Sequence, residues 1–256
     1  MPRIGTEDYG AGMPIYENLV IGNFLYALGL KMGARLHGDL APDLAVNLLQ
    51  QCPLDIVLGD VLLTGLKAVA LLEFKREANW KGRWKERSKL LKIEAFLKHP
   101  EFQELRDISR QIHFYVETRD ILDPCFSRVL PYLDLGTDDR GIILEQLIDS
   151  LAFRARSDPE LTETQIEACQ RYLNLICRSQ SLSHHHASPG LLVGVGGHGQ
   201  IAFAPVDDIR DLRSTFAAIR EYEIIRERQI IREREAIRER EAMRERPRQY
   251  GIGWER

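Results

Sequence analysis

The chain has 256 residues, of which 44% are hydrophobic and 29% are charged, and its formal net charge is -3 at pH 7. This composition excludes a wholly disordered chain, a collagen-like repeat, a disulfide scaffold and a polycation. No apolar run approaches the roughly 20 residues of a bilayer-spanning helix, so no membrane partner is expected. The N-terminus lacks a secretory signal and the four cysteines are scattered, which predicts free thiols in a reducing cytoplasm.

The first predicted elements in chain order are helical. Residues 1–13 are rich in glycine and proline, which favours a flexible lead-in. Residues 14–33 carry apolar side chains at the three- and four-residue spacing of an amphipathic helix. A second, short helix is predicted to start after Pro42 and to end at Pro53, because proline cannot continue a helix.

Two strands are predicted next. Residues 54–60 begin with an apolar run that includes β-branched side chains, which favours a strand. Residues 67–75 are apolar almost without interruption until they meet charge at Glu73 and Lys75. Such a run is typical of a central strand that is buried on both faces, and a buried helix is the alternative.

Helices dominate the following predictions. Residues 83–98 are predicted as a helix that ends before a proline, and residues 111–118 are predicted as a strand. Residues 138–155 and 163–178 are predicted as two amphipathic helices. Thr162 precedes the second of these helices and has glutamine three positions later, which is the pattern of a capping box.

The C-terminal quarter holds a hairpin pattern and a repeat. Residues 190–206 are two apolar stretches around a glycine-rich turn, which predicts a β-hairpin, and a further helix is expected near Asp207. Residues 224–247 repeat in sixes as IIRERQ, IIRERE, AIRERE and AMRERP. Six residues advance a helix by about 600°, so successive apolar pairs visit different faces and build no single seam. A solvated helix or a disordered tail is therefore expected, and a helix that docks a partner is the alternative.

The most informative segment runs from Pro53 to Lys98 and contains the two predicted strands and the helix after them. Asp55 opens one strand, and Glu73 and Lys75 close the other. Residues two apart in a strand share a face, so Glu73 and Lys75 are expected to point the same way. If the strands are neighbours, Asp55 joins them. Two carboxylates suit Mg²⁺ or Mn²⁺, and a lysine beside them can orient water or stabilise negative charge, which suits phosphodiester hydrolysis.

Asp55 followed by Glu73-Phe74-Lys75 resembles the PD-(D/E)XK nuclease superfamily, which has the restriction-endonuclease-like fold. The core of that family runs helix, three-strand meander, helix, strand. The predicted elements within residues 14–120 follow this order, although the first strand of the meander is not visible in the pattern. The resemblance implies that Glu17, on the first helix, is an accessory acidic residue of the site.

The first metal ligand has two candidates. The proline–aspartate pair of the family is split here as Pro53-Leu54-Asp55. Asp60 lies closer to the turn between the strands and competes with Asp55 as the metal ligand, although it is only 13 residues before Glu73. We favour Asp55 from the sequence.

The segment after the motif is strongly basic. Residues 75–98 contain nine lysines and arginines against three glutamates, with Trp80 and Trp84 interleaved. A basic patch beside a metal site attracts the phosphate backbone, and Trp80 could stack on bases, whereas Trp84 is expected to pack in the core. The predicted nucleic-acid-binding residues are Lys81, Arg83, Lys85, Lys89, Lys92 and Trp80.

These observations predict an α/β protein with a restriction-endonuclease-like mixed sheet flanked by helices. The expected units are a core over 14–120, a mainly helical accessory region over 121–222 with the hairpin, and a charged hexad-repeat tail over 223–256. The resemblance implies a Mg²⁺- or Mn²⁺-dependent nuclease that acts on DNA in restriction, repair or defence against mobile elements. The alternative is a non-catalytic module that binds a protein partner, or a second copy of the chain, through its helical half and tail.

Overall fold

The computed structural model describes residues 16–33, 44–49, 54–119, 127–137, 140–157, 159–181, 188–195 and 201–245. The predicted lead-in and the last eleven residues of the predicted tail lie outside these ranges, as do Cys52 and Cys125. The two cysteines within them, Cys169 and Cys177, are buried free thiols, as predicted.

A five-stranded mixed sheet runs through the molecule in the order β1-β2-β3-β4-β5. Strands β3 and β4 are parallel, and the other neighbouring pairs are antiparallel. The strands are β1 Leu44–Leu48, β2 Val61–Gly65, β3 Ala68–Arg76, β4 His113–Thr118 and β5 Ser127–Pro131.

The central strand β3 lies where the sequence predicts it, but the two elements predicted before it do not form. The short helix expected after Pro42 is wrong, because β1 occupies that segment with alternating burial and pairs with β2. The strand expected over 54–60 is also wrong. Residues 54–58 form a turn, in which the amides of Val57 and Leu58 donate to the Leu54 carbonyl oxygen at 3.0 and 2.7 Å. Leu54, Val57 and Leu58 of this turn are buried, whereas Ile56 is exposed.

Within the residues that the structure describes, six α-helices cover the two faces of this sheet and extend beyond it. They are α1 Glu17–Gly33, α2 Trp80–Leu97, α3 Gln103–Ile112, α4 Leu144–Ser157, α5 Glu163–Ser179 and α6 Leu212–Glu245. Short 3₁₀ helices at Pro100–Phe102 and Tyr132–Asp134 and a separate hairpin, β6 Gly190–Val195 with β7 Ile201–Val206, complete the described elements.

Each face of the sheet has its own apolar core. Helices α1 and α4 pack on one face, and α2, α3, α5 and the start of α6 pack on the other. Because both faces are covered, β3 is buried along its apolar run, which is why it reads as a continuous apolar stretch. Alternate residues of β3 point to opposite cores: Leu72 and Phe74 face α1 and α4, whereas Leu71 faces α2.

Elements from the second half of the chain pack in the same sheet and helix layers as those from the first half. Strand β5 lies beyond the predicted boundary at residue 120, yet it pairs with β4 in the main sheet. Helix α4 packs against α1. Thr162 caps α5 with the predicted reciprocal bonds to Gln165, and the predicted hairpin is present. The mainly helical accessory region therefore completes the layers around the sheet.

Helix α6 begins inside the core and leaves it. Leu212, Phe216 and Ile219 are buried, whereas Ile231, Ile237 and Met243 are exposed. The buried part precedes the hexad repeat, and the helix continues through most of that repeat. This division agrees with the geometry of the repeat, since a six-residue period presents no continuous apolar face for packing.

Candidate active site

The candidate site lies where β2 begins and β3 ends. Antiparallel pairing places Val61 opposite Leu72, so the next pair outward is Asp60 and Glu73. The Asp60 amide donates to the Leu72 carbonyl oxygen at 2.9 Å, which extends the ladder to this pair. Asp60 and Glu73 are both buried, and Lys75 follows Glu73 on the same face of β3.

Four oxygen atoms surround the ammonium group of Lys75. Lys75 Nζ forms an ion pair with Glu73 Oε1 and donates to the Phe74 carbonyl oxygen at 3.0 Å. It also lies 3.8 Å from Asp60 Oδ2 and 4.0 Å from Glu17 Oε2. We call these atoms the four-oxygen centre. Three chain segments thus converge on one cation: the start of α1, the residue before β2 and the end of β3.

Asp60, and not the favoured Asp55, contributes the aspartate of this centre. The Phe74 amide donates to Asp60 Oδ2 at 2.6 Å, which fixes the carboxylate against β3. Asp55 lies in the turn before β2 and is half-buried. The pKa of Asp60 is raised chiefly by burial, with a smaller contribution from the charge of Asp55. The sequence preference for Asp55 rested on a strand at 54–60, and that strand is a turn.

Glu17 reaches the centre from the N-terminus of α1. Its Oε1 accepts from the Arg76 amide at 3.1 Å and from Asn79 Nδ2 at 3.3 Å. These bonds connect the first residue of α1 to the end of β3 and to the N-cap of α2. Glu17 therefore lies beside the other side chains of the centre, with its Oε2 4.0 Å from Lys75 Nζ.

A second group of charged side chains adjoins Glu73 from α2. Lys89 Nζ lies 3.8 Å from Glu73 Oε2 and 2.9 Å from Glu86 Oε1. Glu86 Oε2 accepts from the Tyr132 hydroxyl at 2.8 Å. Lys89 was predicted to contact nucleic acid, but it is turned toward the site. Glu86 was not predicted, although it shares the apolar spacing of the buried face of α2, on which Leu90, Ile93 and Leu97 follow it.

Burial dominates the electrostatics of the site. It raises the pKa of Glu73 to about 8, with a further contribution from Glu86 and opposition from Lys75 and Lys89. Burial also raises the pKa of Asp60. The pKa of Lys75 is raised because the nearby carboxylates, Glu73 first, outweigh its desolvation. With every group ionised, four carboxylates at Glu17, Asp60, Glu73 and Glu86 face the ammonium groups of Lys75 and Lys89, which leaves an excess of two negative charges.

Gly59 allows the close approach of β2 to β3 at this point. Its φ is +145°, and a Cβ there would lie 2.9 Å from the Leu72 carbonyl oxygen and 3.2 Å from Glu73 Oε2. Both the backbone conformation and the space require glycine. The residue before the site aspartate is thus a glycine, where the resemblance leads one to expect a proline.

The outer face of α2 is basic and aromatic. Trp80 is 65% exposed and Trp84 is 71% exposed, so the prediction that Trp84 packs in the core is wrong. The buried face of α2 passes instead through Glu86 and Leu90. The predicted nucleic-acid-binding residues that remain exposed on this helix are Lys81, Arg83, Lys85, Lys92 and Trp80.

The donor set for a metal is small within the part of the chain that the structure describes. No group of three or more His, Cys, Asp or Glu side chains there is arranged to hold a metal ion. Asp60 and Glu73 supply two carboxylates, and the Phe74 carbonyl supplies a third oxygen that already contacts a cation. Oxygen ligands of this kind suit Mg²⁺ or Mn²⁺, which are commonly held by one or two carboxylates with water completing the shell.

Comparisons with protein-family models, with curated proteins and with solved structures returned no match to this chain. The family resemblance therefore rests on the residues and on the order of the elements. Among the described helices, none has the length and apolar character needed to cross a membrane.

Proposed function

We propose that this protein is a metal-dependent nuclease of the PD-(D/E)XK type that hydrolyses phosphodiester bonds of DNA. The observation that carries the proposal is the four-oxygen centre, where Asp60, Glu73 and the Phe74 carbonyl meet at one end of the β2–β3 hairpin with Lys75 among them. The motif is accordingly Asp60 followed by Glu73-Phe74-Lys75.

The order of the elements supports the proposal. Helix α1 is followed by the antiparallel meander β1-β2-β3, then by helices α2 and α3, and then by β4, which is parallel to β3. The resemblance predicts helix, three-strand meander, helix and strand. The first strand of the meander, which the sequence pattern does not reveal, corresponds to β1.

Each residue of the centre has a role in the proposed reaction. Asp60, Glu73 and the Phe74 carbonyl would hold the metal, which when bound would polarise the scissile phosphate and activate water. Lys75 has a flexible side chain and a raised pKa, so it stays an ammonium group at neutral pH. It can therefore orient water and stabilise negative charge on the phosphate, but it cannot take a proton as a base. Glu17 holds the end of β3 and contributes negative charge to the metal position.

The direct test is cleavage of labelled single-stranded and duplex DNA with Mg²⁺ or Mn²⁺, against the same mixtures with EDTA. We expect metal-dependent cutting by the wild-type protein and its loss in Glu73→Gln. Glu145→Gln, an exposed glutamate at the start of α4, is the matched control and should cut normally. The proposal fails if the purified protein cuts neither substrate, or if Glu73→Gln cuts as well as the wild type.

A non-catalytic binding module is the second candidate, and one observation favours it. Lys75 already forms an ion pair with Glu73 and lies near Asp60, so the carboxylates have a cation of their own. Calorimetric titration with Mn²⁺ separates the two candidates. A scaffold that binds DNA, a protein partner or a second copy of the chain should release no heat on Mn²⁺ addition, whereas the nuclease should bind Mn²⁺ through Asp60 and Glu73.

A further inference from the structure

We propose that Tyr16, Trp80 and Trp84, which we call the aromatic rim, bind unpaired bases of single-stranded DNA beside the candidate active site. This inference rests on the proposed nuclease function and names its substrate class as DNA with a single-stranded stretch at the cutting point. The three aromatic side chains are 63%, 65% and 71% exposed. These exposed rings leave apolar surface in contact with water, which is typical of a binding surface.

The aromatic rim flanks the four-oxygen centre. Tyr16 directly precedes Glu17, and Trp80 directly follows Asn79. Asn79 Nδ2 donates to Glu17 Oε1 at 3.3 Å. The neighbours of these two residues in the chain, Trp80 and Tyr16, are therefore held close to the Glu17 carboxylate of the site. Trp84 lies one helical turn after Trp80, on the same side of α2. A strand stacked on the rim would therefore carry its phosphates past the site.

Cations accompany the rings. The guanidinium carbon of Arg76 lies 5.8 Å from the centroid of the Tyr16 ring, and Lys81 Nζ lies 5.6 Å from the centroid of the Trp80 ring. The exposed basic residues of α2 are Lys81, Arg83, Lys85, Arg87 and Lys92. Aromatic faces combined with a positive surface fit a polyanion that presents flat rings, which is the chemistry of single-stranded nucleic acid.

The same features disfavour two other occupants. In a duplex, the faces of the bases are covered by their stacked neighbours, so exposed rings gain nothing from it, whereas an unpaired strand offers free base faces. A second copy of the chain would bring an identical basic surface against this one, and like charges would repel. The charge and the rings together favour the single strand.

The test measures binding without cleavage, in EDTA. The Trp254→Phe variant leaves Trp80 and Trp84 as the tryptophans of the chain. We expect its fluorescence to be quenched by oligothymidine and to be little changed by a duplex of equal length. Trp80→Ala and Tyr16→Ala should each weaken oligothymidine binding about tenfold, which is the effect of roughly 1.4 kcal/mol of stacking, with less than a twofold change for the duplex.

Matched controls are available on surfaces away from the rim. Phe153→Ala on α4 and Tyr26→Ala on α1 remove aromatic side chains that are similarly exposed, and they should bind oligothymidine normally. Trp80→Phe keeps a stacking ring and should retain most of the affinity. Because the rim residues are exposed, the urea midpoints of the Ala variants should match that of the wild type, which excludes unfolding as the cause.

Several results would overturn the inference. Equal affinity for duplex and single strand, unchanged binding in Trp80→Ala, or a dimer in sedimentation that dissociates in Trp80→Ala would each refute it. Because this readout needs no metal, it fails separately from the nuclease proposal. Oligothymidine binding through the rim without cleavage by the wild type would leave the rim as a binding surface and refute the nuclease. Normal cleavage and normal oligothymidine binding by the rim variants would refute the role of the rim and leave the nuclease proposal intact.

Discussion

Neutralising Glu73 should change how the stability of the protein depends on pH. The pKa of Glu73 is raised from 4.5 to about 8 by burial and by Glu86. A carboxyl whose pKa is higher in the folded state favours folding while it is protonated in both states. That contribution is complete below about pH 4.5 and is lost as the pH rises through about 8. Glu73→Gln keeps the shape of the side chain and cannot ionise, so it keeps the contribution at every pH.

The magnitude follows from the shift. A displacement from 4.5 to about 8, at about 1.4 kcal/mol per pH unit, corresponds to roughly 5 kcal/mol between pH 4.5 and 9. Over that range the free energy of unfolding of the wild-type protein should fall by up to this amount relative to Glu73→Gln. The buried His113, whose pKa is lowered by burial, changes stability in the opposite sense at acid pH, but it is present in both proteins and cancels from the difference.

Urea unfolding at unit steps from pH 5 to pH 9, in EDTA, measures the effect. Glu145→Gln serves as the control and should follow the wild type at each pH. Adding Mn²⁺ at pH 8 should stabilise the wild type and leave Glu73→Gln unchanged, because metal binding requires the ionised carboxylate. Parallel curves for the wild type and Glu73→Gln would contradict this prediction, since they would mean that Glu73 has an ordinary pKa in the folded protein.

Three further variants test contacts that support the site and the fold, each by its urea midpoint. Gly59→Ala should destabilise by about 1–3 kcal/mol, because it places a Cβ 2.9 Å from a β3 carbonyl oxygen at a φ of +145°. Tyr132→Phe should cost about 2 kcal/mol, since it removes the 2.8 Å bond that the hydroxyl donates to buried Glu86. Thr162→Ala should cost about 1 kcal/mol through the lost capping box, whereas Thr164→Ala in the same turn should be near neutral. A variant whose midpoint equals that of the wild type would contradict the contact assigned to it.

Elements with a long or specific signal were predictable from the sequence. The apolar run of β3 identified a strand buried on both faces, and the Thr162 capping box marked the start of α5. The Glu73–Lys75 pair followed from the two-residue period of a strand. These patterns lie within short stretches of sequence, so they can be recognised without knowing which elements pack against them.

The remainder depends on tertiary contacts that a short window does not contain. The segments 44–48 and 54–58 are both short and apolar, and such runs fit a strand, a helix or a buried turn equally well. Because residues 54–58 form a turn and not a strand, Asp60 and not Asp55 lies beside Glu73 and Lys75. Lys89 points inward to Glu73 and Glu86, and Trp84 is exposed because the opposite side of α2 faces the core.

The proposed metal-dependent phosphodiesterase centre consists of Asp60, Glu73 and Lys75. The most direct measurement is DNA cleavage with Mn²⁺ by Asp60→Asn and Asp55→Asn beside the wild type. We expect metal-dependent cutting by the wild type and by Asp55→Asn, and its loss in Asp60→Asn. Cutting by Asp60→Asn at the wild-type rate, or loss of cutting in Asp55→Asn alone, would contradict this proposal.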